Sequence, residues 1–348
     1  GSSCSNIAIG KDALMATTAN ANIGIGQTTL LCNTSGKYNI AIGLCALCKQ
    51  TTGNRNIGIG QMAGAQNITG SDNIGIGYRA TTKMLGSFNI GIGNQAAYGA
   101  ASNGTGIHNI AIGNNALLCV SMGSCNIAIG CYSQKLATLA NNNISIGISS
   151  MKCAGTGIDN IALGFFALYC GKCACSNIAI GYKAMASSAS GRNNIAIGRY
   201  ALPVLDTGVH NIAIGNFAGK VLTVGCNNIG IGYQSVCGAT TGNNNIGVGR
   251  CALKCATIGS CNTAIGYAAG QLLTTGTNNT MVGNGADPAT ATSVNTITLG
   301  NSQIATIRAQ VTTITALSDC RDKTNIQGIP IGLDFIKQIR PVKFEWNM

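Results

Sequence analysis

Acidic residues are nearly missing from this chain. Only nine of its 348 residues are Asp or Glu, against 21 Lys and Arg. Through residue 317 the carboxylates are Asp12, Asp72, Asp159, Asp206 and Asp287, with no Glu among them. Glycoside hydrolysis needs two carboxyl groups about 5–9 Å apart, and these five are too scattered along the chain to supply a pair. His is limited to His108 and His210, and the two short C-x-x-C pairs, Cys45–Cys48 and Cys170–Cys173, stand alone. That leaves no ligand set for zinc or an iron–sulfur cluster, and no cofactor is expected. No stretch approaches the roughly 18 uninterrupted apolar residues of a membrane span, so membrane insertion is not expected. There is no signal peptide, and the chain opens on Gly1, as expected of a mature or trimmed form. The net charge of +12 is spread along the chain. No aromatic-basic cassette of a nucleic-acid module accompanies it, so nucleic acid is not an expected partner.

What is abundant is Gly, at 49 residues, together with Asn and small aliphatics in a fixed order. Asn39-Ile40-Ala41-Ile42-Gly43 returns with small changes from Asn6 to Asn279, in steps of 17 residues with a few of 16 and one of 20. A fixed period in this range signals a stack of equivalent units. Seventeen residues suffice for one coil of chain, so the repeat reads as one rung of a parallel β-solenoid. The Ile pair of each motif is expected to fill a core. The residue between them is Ala, Gly or Ser except at Met281, and it is expected on the opposite face, against a neighbouring backbone. The closing Gly permits a corner with positive φ. The Asn can stack on its copies as a hydrogen-bonded ladder. A small residue and a Leu or Met further on suggest a second short strand. Turns such as Thr51-Thr52-Gly53-Asn54 return the chain to the next Asn.

The repeats run through residues 1–287. Residues 288–317 alternate Thr with aliphatics, as in Thr296-Ile297-Thr298-Leu299, and read as an intertwined β stem. At Ser318 the composition shifts: nine of the last 31 residues are charged, against 21 of the preceding 317. Within residues 318–348, the segment 332–340 has helical spacing and Pro341 ends it.

The repeat N-I-A-I-G-x-x-A-L with its T-T-G-x-N turn resembles the left-handed β-roll heads of trimeric autotransporter adhesins. It is also similar to the repeats of tail-fibre-domain proteins. The resemblance covers about four-fifths of the chain and implies an all-β, parallel, left-handed β-roll in a homotrimeric fibre. The run from Leu317-Ser318-Asp319-Cys320-Arg321-Asp322-Lys323-Thr324-Asn325-Ile326 to Arg340-Pro341-Val342-Lys343-Phe344-Glu345-Trp346 resembles the opening of an endosialidase-type intramolecular chaperone, truncated here. That resemblance implies self-cleavage between Leu317 and Ser318, with Ser318 as nucleophile and Lys323 as its general base.

These readings favour a structural and adhesive surface fibre, extracellular or on a virion, that attaches to a host-cell glycan or receptor. The alternative is a polysaccharide-cleaving tailspike-type enzyme. Residues just after the motif Gly offer a binding surface: Tyr78, Phe165, Tyr182, Tyr233 and Tyr267, with Arg199 and Arg250 interleaved. Seventeen Cys suit an oxidising compartment. Equivalent positions in adjacent rungs lie about 4.8 Å apart, within disulfide reach. Cys32 with Cys48, Cys153 with Cys170 and Cys237 with Cys255 are therefore expected as rung-to-rung bridges, and other cysteines near the rung corners as links between chains. Asn33, Asn67, Asn103, Asn143 and Asn278 open glycosylation sequons.

Overall fold

The computed structural model describes residues 5–99 and 104–308. Eighteen three-residue strands, from β1 (Ile7–Ile9) to β18 (Ile297–Leu299), pair in sequence order as one parallel sheet. Each strand pairs only with those one rung before and after, motif on motif, as in Ile195↔Ile212, Ala196↔Ala213 and Ile197↔Ile214. The chain is a parallel β-solenoid of 17-residue rungs, about 80 Å from first to last strand at a rise of about 4.8 Å. The longer step between Asn89 and Asn109 leaves the register intact, with Ile90 opposite Ile110.

The Asn ladder is continuous and buried. Each Asn Oδ1 accepts from the backbone N–H of the next Asn, as Asn39 Oδ1 does from Asn56 at 2.8 Å. Each Asn Nδ2 donates to a carbonyl in its own rung's turn, as Asn56 does to Gly70 at 2.8 Å. A buried amide flanked by two turns is thereby satisfied on both ends.

The facing of the strand is the reverse of the sequence expectation. The central small residue points inward and is fully buried at Ala41, Ala128 and Ala196, while the Ile on either side lie on the outer face. The cause is the width of the coil. Across the lumen the Leu or Met eight residues after the Asn, such as Leu47, Met151 and Leu202, is also fully or almost fully buried. A Cβ added to Gly58 would come within 2.9 Å of Leu47 Cγ. One Leu and one Cβ fill the inside, and an Ile pair has no room there. The exceptions compensate. Met281 takes the inward position where Gly270 leaves the opposite wall bare, and a Cβ on Gly270 would stand 2.9 Å from Met281 Cε. At Ser145 the inward column turns polar, and the hydroxyl contacts those of Ser133 and Ser150 at 2.7 and 2.8 Å.

Two further expectations are revised. The segment after the motif Gly is a turn, without the second strand. Its residues six and eight positions after the Asn take left-handed φ, as at Tyr200 (54°) and Leu202 (48°). That handedness turns N–H groups two residues apart toward opposite rungs: Tyr200 N–H bonds to Tyr182 O behind and Leu202 N–H to Ala218 O ahead, while the intervening Ala201 N–H stays within its own turn on Gly198 O. The boundary of the repeats also moves, because β17 (Thr280–Val282) pairs in register with β18. Coiling therefore continues past Asp287 into the segment read as stem, within a compact unit that ends at Gln303. The expected helix at 332–340 lies outside the described residues.

Candidate functional site

Two long faces of the solenoid remain uncovered, and both follow from the rung. The first is the outer side of the sheet, where the motif Ile side chains form two parallel columns. The Ile are shielded in part by their copies above and below: most are half-buried, and the more open ones, such as Ile146, Ile214 and Ile231, are about two-fifths exposed. With columns about 6.6 Å apart along the strand and about 80 Å long, the stripe covers on the order of 500 Å².

The second face is built by the turn after the motif Gly, at five, six and nine residues beyond each Asn. Here the sequence-picked residues come together in part. Phe165 and Tyr182 stack with centroids 5.7 Å apart and planes 5° from parallel. One position along, Tyr200 and Phe217 stack at 5.6 Å and 9°. The two columns meet at a steep angle, 78° between Tyr182 and Tyr200 and 90° between Phe217 and Tyr233. Arg199 lies over Tyr182, Tyr200 and Phe217, its guanidinium carbon 5.4 Å from the Tyr200 centroid. Arg250 spans Tyr233 and Tyr267 at 5.7 Å from each. Tyr78 stands apart, several rungs earlier, with Arg79 over its ring at 5.2 Å.

Sequence reading missed part of this face. Phe166, Tyr169, Lys183, Ala186, Ser187 and Pro203 line an open groove of ≈ 410 Å³. Phe166 and Tyr169 meet at 4.8 Å, and Lys183 Nζ sits 5.7 Å from the Tyr200 centroid. The signal was available: Phe166 and Lys183 share the sixth position after their motif Asn, and Tyr169 takes the ninth. The turn's left-handed residues swing those positions beside the fifth.

The cysteines expected as rung-to-rung pairs have different surroundings. Cys48 is bonded to Cys45 within its own rung, so it is not available to Cys32, which is a thiol. Cys153 and Cys170 do sit together across adjacent rungs, as thiols. Burial pushes the Cys170 thiol pKa up, and the neighbouring Cys153 adds to the rise. Cys237 and Cys255 are also thiols; burial raises Cys237, with Lys220 partly offsetting it. Among the sequons, Asn33, Asn67 and Asn143 are buried by the coil, whereas Asn278 is exposed. Asn103, Ser318 and Lys323 lie outside the described residues. Among the described residues no three His, Cys, Asp or Glu converge where a metal ion could sit, and no helix is long and apolar enough to cross a membrane.

No protein-family model, curated protein or solved structure matches the chain.

Proposed function

We propose that this chain is one strand of a parallel homotrimeric surface fibre, extracellular or on a virion, whose role is attachment. The observation that carries the reading is the outward Ile stripe. An apolar patch of that length is costly in water and marks an interaction surface. Its period also selects its partner. Ile side chains repeating every rung, about 4.8 Å, can interdigitate over the full length only with a surface of the same period. A second copy in parallel alignment meets that condition at every rung. A threefold arrangement, a left-handed coil and release from a C-terminal chaperone at Leu317–Ser318 are the finer parts of the proposal. They rest on the resemblances in the repeat and in residues 317–346.

The stripe is tested by placing Ser at Ile195, Ile197, Ile212 and Ile214 together. The variant should keep its β-rich circular dichroism but lose mass in light scattering. Unchanged mass would remove the Ile stripe as the interface. The chaperone part is tested on a longer precursor. A fragment beginning at Ser318 should appear, and Ser318→Ala should abolish it. An intact wild-type precursor after assembly would show that the chemistry is not used.

The enzyme alternative gains no support from the carboxylates. Asp72 is held below the usual carboxylate range by its hydrogen bonds from Arg55, and Asp287 accepts from the Leu272 backbone N–H at 2.9 Å.

A further inference from the structure

We infer that the aromatic and cationic face between Tyr132 and Tyr267 is a binding track for an acidic polysaccharide, a chain of sugars bearing carboxylate or sulfate groups. This deepens the attachment reading and rests on it for biological sense, though the track itself needs only the solenoid.

Charge is the first argument. Within this span the face carries Lys135, Lys152, Lys183, Arg199, Lys220 and Arg250, and no carboxylate occupies its turn positions. The two acids of the span, Asp159 and Asp206, sit at other corners of the rung. Asp159 is engaged by Asn142 Nδ2 at 3.0 Å. Among the described residues one ion pair forms, Arg55–Asp72, far from this face. The cations of the track are held against aromatic rings, Lys135 and Lys152 over Tyr132 at 5.0 and 5.6 Å among them, and remain electrically unpaired, free to meet an anion.

Shape is the second. The Phe166–Tyr169 groove offers an apolar wall with Lys183 and the Ser187 hydroxyl at its edge. That combination suits a pyranose: its C–H face lies on an aromatic ring while its acid group reaches the ammonium and its hydroxyls reach Ser and Tyr. Repetition is the third. The same pairing of ring and cation recurs at Arg199–Tyr200, Lys220–Phe217 and Arg250–Tyr233, along an axis that rises about 4.8 Å per rung. A track periodic along one line fits a linear polymer better than a compact partner.

Single-stranded nucleic acid is the competing polyanion, and ring orientation disfavours it. Base binding uses exposed aromatic faces as platforms. Here Phe165 and Tyr182, and likewise Tyr200 and Phe217, turn their faces on each other.

The test measures binding of the full chain, in whatever assembly state it adopts, to heparin, polygalacturonate, neutral dextran and oligo(dT) at fixed ionic strength. Heparin or polygalacturonate should bind, dextran should not, and affinity should fall with salt. Lys183→Gln with Arg199→Gln should weaken binding by roughly tenfold or more, since charged hydrogen bonds are lost. Tyr169→Ala should also weaken it. Lys37→Gln, on another corner, should leave it unchanged. Equal binding to dextran, tighter binding to oligo(dT), no binding to either acidic glycan, or indifference to the Lys183 and Arg199 changes would each overturn the inference. Light scattering on the same samples separates the two readings. A monomer that binds heparin refutes the trimeric fibre and keeps the track, whereas a trimer that binds neither acidic glycan does the opposite.

Discussion

Asn194 Oδ1 takes two hydrogen bonds from Asn211, one from the backbone N–H at 2.8 Å and one from Nδ2 at 3.1 Å. Asn194 Nδ2 in turn reaches Gly208 O at 2.8 Å. The side chain thus ties three points: its own turn, the rung before it and the rung after it. Asn194→Ala strands a buried N–H and a buried carbonyl, and should destabilise by about 1–3 kcal/mol. Asn194→Asp keeps the acceptor but removes the donor and adds a buried charge, so it should be no milder. Urea denaturation measures both, and an Ala variant as stable as wild type would show that the ladder contributes little.

Ala196 and Ile197 are neighbours with opposite duties. Ala196 is fully buried within the apolar cluster that fills the lumen, so Ala196→Val overpacks it and should cost about 1–3 kcal/mol. Ile197→Ser acts on the outer face, where Ile197 is half-buried, and should cost a single coil about 1 kcal/mol while weakening association. Thermal melts combined with a concentration series separate the two effects. Equal loss of fold in both variants would contradict the assignment of inside and outside.

The thiols give a chemical test of the rung geometry. Peptide mapping of protein alkylated without reductant should find Cys45 linked to Cys48, and Cys153 and Cys170 unlinked. Because burial and Cys153 raise the Cys170 pKa, its alkylation should lag that of exposed Cys32 and Cys255. The lag should close as pH rises through the elevated pKa. Added oxidant should then join Cys153 to Cys170 before other pairs. A Cys32–Cys48 link in the untreated protein would contradict this arrangement.

Asp287 supplies a pH test with a defined sign. Burial raises its pKa above the ordinary 3.8, so the folded state favours the protonated form. Its contribution is fully present below the unfolded pKa and is lost as pH rises through the folded value. At pH 7 the carboxylate is therefore a net cost. Asp287→Asn keeps an acceptor for the Leu272 N–H and should stabilise at pH 7 by less than about 1 kcal/mol, given its partial exposure. The gain should vanish near pH 3. A variant less stable at pH 7 than at pH 3, relative to wild type, would reverse the sign.

The period of the Asn and Gly residues made the solenoid and its buried Asn ladder legible before any coordinate. Facing was not legible in the same way. Alternation of Ile-Ala-Ile defines two faces of a strand, and large apolar residues ordinarily go inside. Deciding against that habit requires the size of the lumen, which depends on the opposing Leu47 or Leu202. The informative pattern was their position eight residues after the Asn, always across from a small residue. Disulfides were harder still, because equal offsets give equal heights without giving side-chain direction. Cys48 meets Cys45 because the turn's left-handed residues fold the fifth to ninth positions onto one another. The same fold-back hid the Phe166–Tyr169 groove from a reading that followed single positions up the stack.

The most direct test of the fibre is the native mass of the purified chain by light scattering, across a range of concentrations. The proposal predicts three times the chain mass, falling toward one when Ser replaces the outward Ile at 195, 197, 212 and 214. A wild-type protein that stays monomeric at every concentration, with its Ile columns open to water, would contradict it.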